Sequence, residues 1–221
     1  MRVVTWNLYH GRSRPAARRG LLAEFAAALA GWEWDVALLQ EVPPWWPPAL
    51  AAAAGAQQRT RLTSRNLGLP LRRAVAARNP DVLGANGGGA NAILVRGEIA
   101  EHRCHRLAWW PERRWAHGVR LADGTWVVNL HATTRNEPRA RRECEAAARA
   151  WAGATPLVFG GDLNIHRAPP LPGLAHVAGN HVDHLYVAGL EPRGPGEVLA
   201  RGALSDHAPV AVSLAARSPA A

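Results

Sequence analysis

Leu157-Val158-Phe159-Gly160-Gly161-Asp162-Leu163-Asn164 is an apolar run that ends abruptly in a carboxylate and an amide. Short runs of Leu, Val and Phe that are bounded by Gly are typical of buried β-strands. Polar side chains that directly follow such a strand are held on a rigid scaffold where the chain reaches solvent. The stretch therefore predicts a strand with a functional carboxylate, Asp162, at its end.

Similar apolar runs recur along the chain and are predicted as strands. They occupy residues 3–6, 36–39, 92–95, 126–130, 184–187 and 210–214. Apolar positions at helical spacing predict helices at about residues 18–30 and 138–152, with a shorter helix at 49–54. The Gly-rich residues 84–89 are predicted as a turn or loop. Strands mixed with a few helices indicate an α/β or α+β fold with layered packing.

Polar residues stand beside most of the predicted strands. They are Asn7, Gln40, Glu41, His131, Asp183, Asp206 and His207. Taken singly, each of them also suits a turn, a helix cap or a solvated loop. Their ordered occurrence along the chain is what predicts a shared site.

These residue types predict metal-dependent hydrolysis of a phosphate ester. Mg²⁺ in proteins takes oxygen ligands, usually one or two carboxylates, and Glu41, Asp206 and the Asn7 amide offer such oxygens. A bound cation would neutralise phosphate charge as the transition state forms. Asp162 with Asn164 would orient the attacking water, since their side chains point to the same side where the backbone is extended.

A pair of a histidine and a carboxylate is predicted from the same set. His207 beside Asp183 would have a raised pKa, because a nearby negative charge favours the imidazolium form. Such a histidine can protonate a leaving oxygen or stabilise a phosphoryl group. Four further residues are predicted to bind substrate, although each also suits a solvated loop: His10, Arg12, Arg114 and His166.

The composition fits a globular protein with a sizeable core. Hydrophobic residues make up 48% of the 221 residues, and no apolar run approaches the roughly 20 residues of a membrane span. We assign residues 1–215 to a single domain and 216–221 to a flexible C-terminal tail. Residues 3–6 suit a strand rather than a secretory signal, and Cys104 and Cys144 match no metal or redox spacing. We therefore expect a cytoplasmic protein with two free thiols, and assume a monomer.

The formal net charge is +9, and all 26 basic residues are arginines. The excess accompanies many Ala, Gly, Pro and Trp residues, a bias expected of a GC-rich genome, so the charge alone does not show nucleic-acid binding. It favours a phosphorylated or polyanionic substrate, because the guanidinium fork matches phosphate oxygens.

Seven segments together resemble the endonuclease/exonuclease/phosphatase superfamily of metal-dependent phosphoesterases. They are Thr5-Trp6-Asn7-Leu8, Leu38-Leu39-Gln40-Glu41-Val42, Asn91-Ala92-Ile93-Leu94-Val95, Val128-Asn129-Leu130-His131, Gly160-Gly161-Asp162-Leu163-Asn164, Val182-Asp183-His184-Leu185 and Leu204-Ser205-Asp206-His207-Ala208-Pro209-Val210. The resemblance extends from Asn7 to Leu214. One departure is Tyr9, which stands where some repair nucleases carry an acidic residue.

The resemblance implies a four-layer α/β sandwich, in which two mostly antiparallel mixed β-sheets are flanked by helices. It also implies a metal site of Asn7, Glu41 and Asp206 that takes Mg²⁺, with Mn²⁺ as a substitute. Catalytic roles are implied for His131 at the scissile phosphate, Asp162 at the attacking water, Asn164 at the phosphate, and His207 with Asp183 as its orienting partner.

The function predicted from these observations is that of a nuclease-type phosphodiesterase in which water attacks in line. The first alternative is a phosphatase or a lipid or inositol phosphodiesterase, for which residues 43–48 with Trp45 and Trp46 would supply an apolar rim. The second alternative is a binding module without catalysis. Trp45-Trp46 and Trp109-Trp110 would suit stacking on single-stranded bases. We expect instead that they pack inside the protein, as large aromatic side chains usually do, or are paired by chance in a Trp-rich composition.

Overall fold

The computed structural model describes residues 1–84 and 89–217. The strands are β1 (Arg2–Asn7), β2 (Val36–Val42), β3 (Gln57–Thr63), β4 (Gly89–Val95), β5 (Ile99–Ala108), β6 (Arg114–Leu121), β7 (Trp126–His131), β8 (Leu157–Asp162), β9 (Ala175–Asn180), β10 (Asp183–Ala188), β11 (Leu190–Pro192), β12 (Glu197–Val198) and β13 (Val210–Ala216). The α-helices are α1 (Leu22–Gly31), α2 (Pro47–Ala53), α3 (Leu69–Arg78) and α4 (Glu137–Ala150).

The described strands form two mixed sheets. The first has the order β11-β13-β1-β2-β4-β3, with β12 beside β13, and the second has the order β5-β6-β7-β8-β10-β9. β1 runs parallel to β2, and β7 runs parallel to β8. The remaining pairs are antiparallel.

Three layers of apolar side chains hold the sheets and helices together. Because successive side chains of a strand point to opposite faces, Val3 lies between the two sheets whereas Val4 packs toward α1 and α2. The outer face of the second sheet packs against α4 through Phe159, Cys144 and Trp151. Helices therefore cover both outer faces, and the predicted four-layer α/β sandwich is confirmed.

The helix predictions differ from the structure mainly at their ends. Residues 138–152 correspond to α4, whose first turn is capped by the Asn136 side chain through a 3.1 Å bond from Arg139 N. Residues 49–54 correspond to α2. The helix predicted at 18–30 begins only at Leu22, and Gly20 precedes it in a segment outside regular structure. No helix of the described residues is long and apolar enough to cross a membrane.

Several elements carry no pattern that predicts them, and β3 and α3 show why. β3 has the sequence QQRTRLT and is mostly half-buried, so it lacks the apolar run of an interior strand. α3 buries none of its side chains and therefore shows no apolar stripe. Of the predicted loop at 84–89, residues 85–88 lie outside the described residues, and Gly89 opens β4. Of the predicted tail, Ala216 closes β13, and residues 218–221 lie outside the described residues.

The strand ends bring the polar residues to one end of the sandwich. Asn7, His131 and Asp162 are the last residues of β1, β7 and β8. His131 is directly opposite Asp162 in the parallel pair, and Asp183 is opposite Asp162 in the antiparallel pair. Two expected positions differ, because Gln40 and Glu41 lie inside β2, and Asp206 and His207 lie in the loop before β13 rather than at its start.

Candidate active site

Asp162 is the centre of the polar cluster at this end of the sandwich. The residue is 1% exposed. Its Oδ2 atom accepts a 2.8 Å hydrogen bond from Asn7 Nδ2 and lies 3.5 Å from His131 Nε2. His207 Nε2 lies 3.9 Å from the same oxygen. Predicted site residues from both sheets and from the loop before β13 thus lie around one buried carboxylate.

His207 is held in place by Asp183 and by the end of β1. Asp183 Oδ2 accepts a 2.7 Å hydrogen bond from His207 Nδ1, which leaves Nε2 directed toward Asp162. The backbone N–H of His207 donates to Ser205 Oγ at 3.0 Å, and that hydroxyl donates to Asn7 O at 2.6 Å. The imidazole is therefore positioned by its carboxylate partner and by an anchored loop.

Two carboxylates of the site, Asp162 and Asp183, carry raised pKa values. Burial is the main cause for Asp162, and the charges of Asp183 and Glu41 add to it, so that its pKa rises to about 7. Burial also raises the pKa of Asp183, although its hydrogen bond with His207 opposes the rise. Several acidic groups therefore crowd a site that water hardly reaches, which disfavours their full ionisation.

The two histidines near Asp162 have opposite electrostatic surroundings. Burial lowers the pKa of His207, but the hydrogen bond to Asp183 and the charges of Asp183, Asp162 and Asp206 outweigh it and raise that pKa to about 9. Burial, with the charge of Arg114, holds the pKa of His131 well below its usual value. At neutral pH His207 is therefore positively charged, whereas His131 is neutral.

Glu41 reaches the cluster through an irregularity of β2. The pairing of β2 with β4 shifts register between Leu39 and Val42, and Glu41 adopts a φ of 49°. A left-handed backbone is costly for a residue with a side chain and is often found at functional sites. The carboxylate lies 3.1 Å from His10 Nε2 and 3.8 Å from His131 Nε2, so His10 lies at the edge of the cluster, and its role in binding substrate stays a prediction.

Asn164 lies beside Asp162, but not for the predicted reason. Its φ is 52°, so the Asp-x-Asn backbone is not extended. The Asn164 N–H donates to Asp162 Oδ1 at 2.9 Å, and its side-chain Nδ2 donates to Ala132 O at 3.0 Å. Asn164 therefore fixes the second oxygen of Asp162 through its backbone and ties the ends of β7 and β8 together with its amide.

Asp206 faces a cation that was not predicted. Its Oδ2 lies 3.4 Å from a guanidinium nitrogen of Arg14, and its Oδ1 lies 3.9 Å from His207 Nε2. The Oδ1 atom is buried without a hydrogen-bond partner among the described residues. Arg14 was missed because it lies in a Pro- and Arg-rich loop with no strand-end pattern.

The most compact group of possible metal ligands differs from the predicted set. Within the described part of the chain, Asp162, Asp183 and His207 are the three acidic or histidine side chains whose ligand atoms lie within 4.8 Å of one another. Glu41 and Asp206 stand outside it, each beside a basic group. In the compact group, Asp183 and His207 are already joined to each other by their hydrogen bond.

The remaining predicted substrate contacts fall into three cases. Arg12 lies over the Tyr9 ring at 3.6 Å and donates to Tyr9 O, which fixes it on its own loop. Arg114 is buried, donates to His131 O at 3.4 Å and pairs with Glu112 at 2.6 Å. It therefore supports the backbone of His131 rather than facing a ligand. His166 is exposed, and its charge lowers the pKa of His184, which lies outside the cluster around Asp162.

A pair of amides supports the site from between the sheets. Gln40 Nε2 donates to Asn129 Oδ1 at 2.8 Å. Asn129 Nδ2 donates at 3.0 Å to both Leu39 O in β2 and Ala92 O in β4. Both amide residues are completely buried. The first and second sheets are thus joined by hydrogen bonds directly behind the cluster.

The tryptophan pairs behave differently from each other. Trp46 is 6% exposed and packs in the core beside Phe25, with Trp45 packed against the same cluster. The expected packing is confirmed there, and the segment 43–48 forms no free apolar rim. Trp109 and Trp110 are 59% and 72% exposed, so the packing prediction is wrong for this pair.

A cleft of about 960 Å³ lies away from the cluster. It is lined by Met1, Arg2 and Trp34 among others, at the opposite end of β1 from Asn7. Volume alone would place a ligand there, but none of the grouped titratable residues lines it. The convergence of side chains on Asp162 is the better guide to chemistry.

The comparisons with known proteins agree with this geometry. Residues 4–207 match the model of the Endonuclease/Exonuclease/phosphatase family. No curated protein matches the sequence significantly.

Solved structures share the fold at low sequence identity. An endonuclease/exonuclease/phosphatase from Beutenbergia cavernae is 20% identical, with a TM-score of 0.76 over 98% of this chain and 71% of that one. The mannosyl-6-phosphatase Bt3783 of Bacteroides thetaiotaomicron is 17% identical, with a TM-score of 0.69 over 97% and 99%. D. rerio TDP2 complexed with a single strand DNA product is 14% identical, with a TM-score of 0.68 over 97% and 98%.

The match to the family model spans nearly the whole length, and the fold is shared with solved members, so the chain belongs to the Endonuclease/Exonuclease/phosphatase family of phosphoesterases.

Proposed function

We propose that the protein is a divalent-metal-dependent phosphodiesterase of nuclease type, in which water attacks phosphorus in line with the leaving oxygen. The observation that carries the proposal is the convergence on Asp162 Oδ2 of Asn7 Nδ2 at 2.8 Å, His131 Nε2 at 3.5 Å and His207 Nε2 at 3.9 Å. A buried carboxylate between a neutral and a charged imidazole suits proton transfer and charge stabilisation together.

In this proposal two residues, Asp162 and His207, move protons, and the others position the reacting groups. Asp162 accepts a proton from the attacking water, for which its pKa of about 7 is well placed. The hydroxyl oxygen forms the new bond to phosphorus as the bond to the leaving oxygen breaks. His207 donates its Nε2 proton to that oxygen, and Asp183 holds the imidazole in position. His131 and Asn164 contact the phosphate oxygens.

The residues around Asp162 fit a hard divalent cation. The charges of Asp183 and Glu41 raise the pKa of the buried Asp162, and the oxygen Asp206 Oδ1 is buried without a partner among the described residues. Glu41, Asp206 and Asn7 would hold Mg²⁺, or Mn²⁺ in its place, with Asp162 beside them. When bound, the cation neutralises phosphate charge and stabilises the charge that develops in the transition state.

The substrate class is the finer part of the proposal. Both a mannosyl-6-phosphatase and a DNA-bound TDP2 share the fold, so the fold alone does not choose between a monoester and a diester. The net charge of +9 and the arginines suit a polyanionic substrate, and nucleic acid is the polyanion that we propose. The two cysteines are free, which suits a reducing cytoplasm.

Hydrolysis of bis(p-nitrophenyl) phosphate and of p-nitrophenyl phosphate, each with Mg²⁺, Mn²⁺ or EDTA, tests the proposal. We expect metal-dependent hydrolysis of the diester, and loss of it in Asp162→Asn and His207→Ala. The matched controls are Asp123→Asn in the β6–β7 turn and the exposed His105→Ala in β5, which should keep the full rate. Full activity of both site variants would contradict the assigned roles, and faster monoester hydrolysis would favour a phosphatase.

A further inference from the structure

Two neighbouring tryptophans are exposed on the loop between β5 and β6. Trp109 is 59% exposed and Trp110 is 72% exposed, whereas indole rings usually serve burial. Several exposed aromatic side chains in one place commonly mark a binding surface. Their exposure is not explained by the packing of the sandwich.

Arginines lie over the rings of these tryptophans. The guanidinium of Arg65 lies 4.7 Å from the Trp110 ring centroid, and those of Arg106 and Arg113 lie 4.5 Å and 5.4 Å from the Trp109 ring. Such distances are those of cation–π contacts. Cations and aromatic rings therefore alternate across the loop and hold each other in position.

The pattern continues toward the sandwich on two adjoining elements. Arg61 of β3 lies over the ring of Trp115 in β6 at 3.5 Å. The segment after β3 is joined to the β5–β6 loop, because Ser64 N donates to Arg113 O at 3.1 Å and Arg65 donates to Pro111 O at 3.4 Å. The Arg–Trp surface is defined by Arg61, Arg65, Arg106, Trp109, Trp110, Arg113 and Trp115.

The Arg–Trp surface adjoins the candidate active site. Arg114, between Arg113 and Trp115 in sequence, donates to His131 O. On the other side of the same loop, the Arg139 guanidinium of α4 donates to the carbonyl of Trp110. A chain held on this surface can therefore continue to the phosphate position beside His131.

We propose that the Arg–Trp surface binds single-stranded nucleic acid and delivers it to the site at Asp162; this rests on the proposed function. Unpaired bases stack on indole rings without regard to sequence, while guanidinium groups take the phosphates between them. A duplex hides the faces of its bases and cannot use the rings. The alternation of rings and cations matches the alternation of base and phosphate along one strand.

An anionic membrane is the competing occupant. Leu67 and Leu71 are also exposed, at 69% and 73%, near the start of α3. An amphipathic membrane-binding element keeps its basic side chains on a polar face and its Trp and Leu side chains on the opposite, apolar face. Here guanidinium groups lie over the rings themselves, which keeps charge at the depth of the indoles and favours the nucleic acid.

Fluorescence anisotropy with a labelled oligothymidylate of about 12 nucleotides, in EDTA to prevent cleavage, tests the proposal. We expect Trp109→Ala and Trp110→Ala each to weaken binding about tenfold, and Trp110→Phe to retain most of the affinity because a ring is kept. Arg65→Ala should weaken binding and reduce the slope of affinity against salt by about one charge. The matched controls are the exposed Val198→Ala and Arg193→Ala, which should bind like the parent chain.

Unchanged affinity of both tryptophan variants would overturn the proposal. Equal affinity for single-stranded and duplex DNA, with equal losses of affinity in the variants, would also overturn it. So would variants that lose affinity for phosphatidylglycerol vesicles but not for oligothymidylate. Diester hydrolysis, measured in parallel, separates the two levels of inference. If bis(p-nitrophenyl) phosphate is not hydrolysed while oligothymidylate binding still depends on Trp109 and Trp110, the proposed function fails and the Arg–Trp surface stands.

Discussion

His207 Nδ1 lies 2.7 Å from Asp183 Oδ2, while His207 Nε2 lies 3.9 Å from Asp162 Oδ2. One ring nitrogen is thus committed to an orienting carboxylate, and the other faces the buried acid at the centre of the site. The same contacts raise the pKa of His207 to about 9 against the effect of burial. The charge on this imidazole therefore depends on Asp183 more directly than on any other single residue.

Replacing Asp183 by asparagine (Asp183→Asn) should lower activity while leaving the fold intact. The substituted amide would keep a hydrogen-bonding side chain of the same shape but remove the charge that favours imidazolium, so the pKa of His207 should fall. We expect diester hydrolysis to drop by about a hundredfold or more and NMR titration to show His207 losing its proton at lower pH. A variant with reduced activity but an unchanged His207 titration would contradict this positioning role for Asp183.

The stability of the metal-free protein should fall as the pH rises from neutral to mildly alkaline. A group whose pKa is higher in the folded state binds its proton more tightly there, so stability declines as the pH rises from the unfolded to the folded pKa. For His207 that window runs from 6.5 to about 9. Asp162 contributes a fall below about pH 7, but there the lowered pKa values of His117 and His131 act in the opposite sense. Thermal unfolding in EDTA between pH 6.5 and about pH 9 therefore measures the decline.

The contributions of the two groups can be separated by substitution. His207→Ala should flatten the decline above about pH 7, whereas Asp162→Asn should act mainly below that value, where it removes a contribution that falls as the pH rises. Asp123→Asn, far from the cluster, should leave the curve unchanged. A metal-free protein whose stability rises steadily with pH, in the parent chain and in both site variants, would show that the crowded carboxylates do not behave as described.

Mg²⁺ should stabilise the protein more at alkaline than at acidic pH. A ligand that binds only the folded state raises the free energy of unfolding, and a proton on Asp162 removes a negative charge that would otherwise attract the cation beside it. Glu41→Gln should remove most of the rise in Tm, whereas Glu145→Gln on the exposed side of α4 should not. An equal rise in Tm for Glu41→Gln and the parent chain would exclude Glu41 from the metal site.

Strand patterns predicted the core of the fold well because buried strands leave a strong signal. β7 and β8 lie at the centre of the second sheet and are apolar almost throughout. β3, at the edge of the first sheet, and the exposed α3 show no apolar run or stripe, because few of their side chains are buried. What the sequence reveals about an element therefore depends on how much of it is enclosed.

The candidate site shows the same limit at the level of single residues. Asp162 and His131 could be identified because each closes a buried strand. Arg14, which pairs with Asp206, could not be identified in this way. The sequence of an exposed loop does not reveal whether a carboxylate faces its arginine. The left-handed backbone conformation of Glu41 and Asn164 could not be predicted either, because it is imposed by neighbouring strands and loops and not by the residue types.

Removing the buried amide of Asn129 should destabilise the protein more than it affects the chemistry. Asn129→Ala leaves the carbonyl groups of Leu39 and Ala92 without the Asn129 amide, and Gln40 Nε2 keeps only its bonds to Thr5 Oγ1 and Leu38 O. Because an unsatisfied buried polar group costs about 1–3 kcal/mol, we expect the free energy of unfolding to fall by more than about 3 kcal/mol. Urea unfolding measures the loss, and Asn180→Ala at the half-buried end of β9 serves as the control.

The activity of Asn129→Ala then separates support from catalysis. Asn129 touches Gln40 and the backbone of both sheets but none of the groups around Asp162, so at low temperature the folded fraction should keep a diester hydrolysis rate close to that of the parent chain. If the variant remains as stable as Asn180→Ala yet loses activity, Asn129 acts on the chemistry itself. The hydrogen bonds of Asn129 between the sheets would then be part of the active site rather than a structural support behind it.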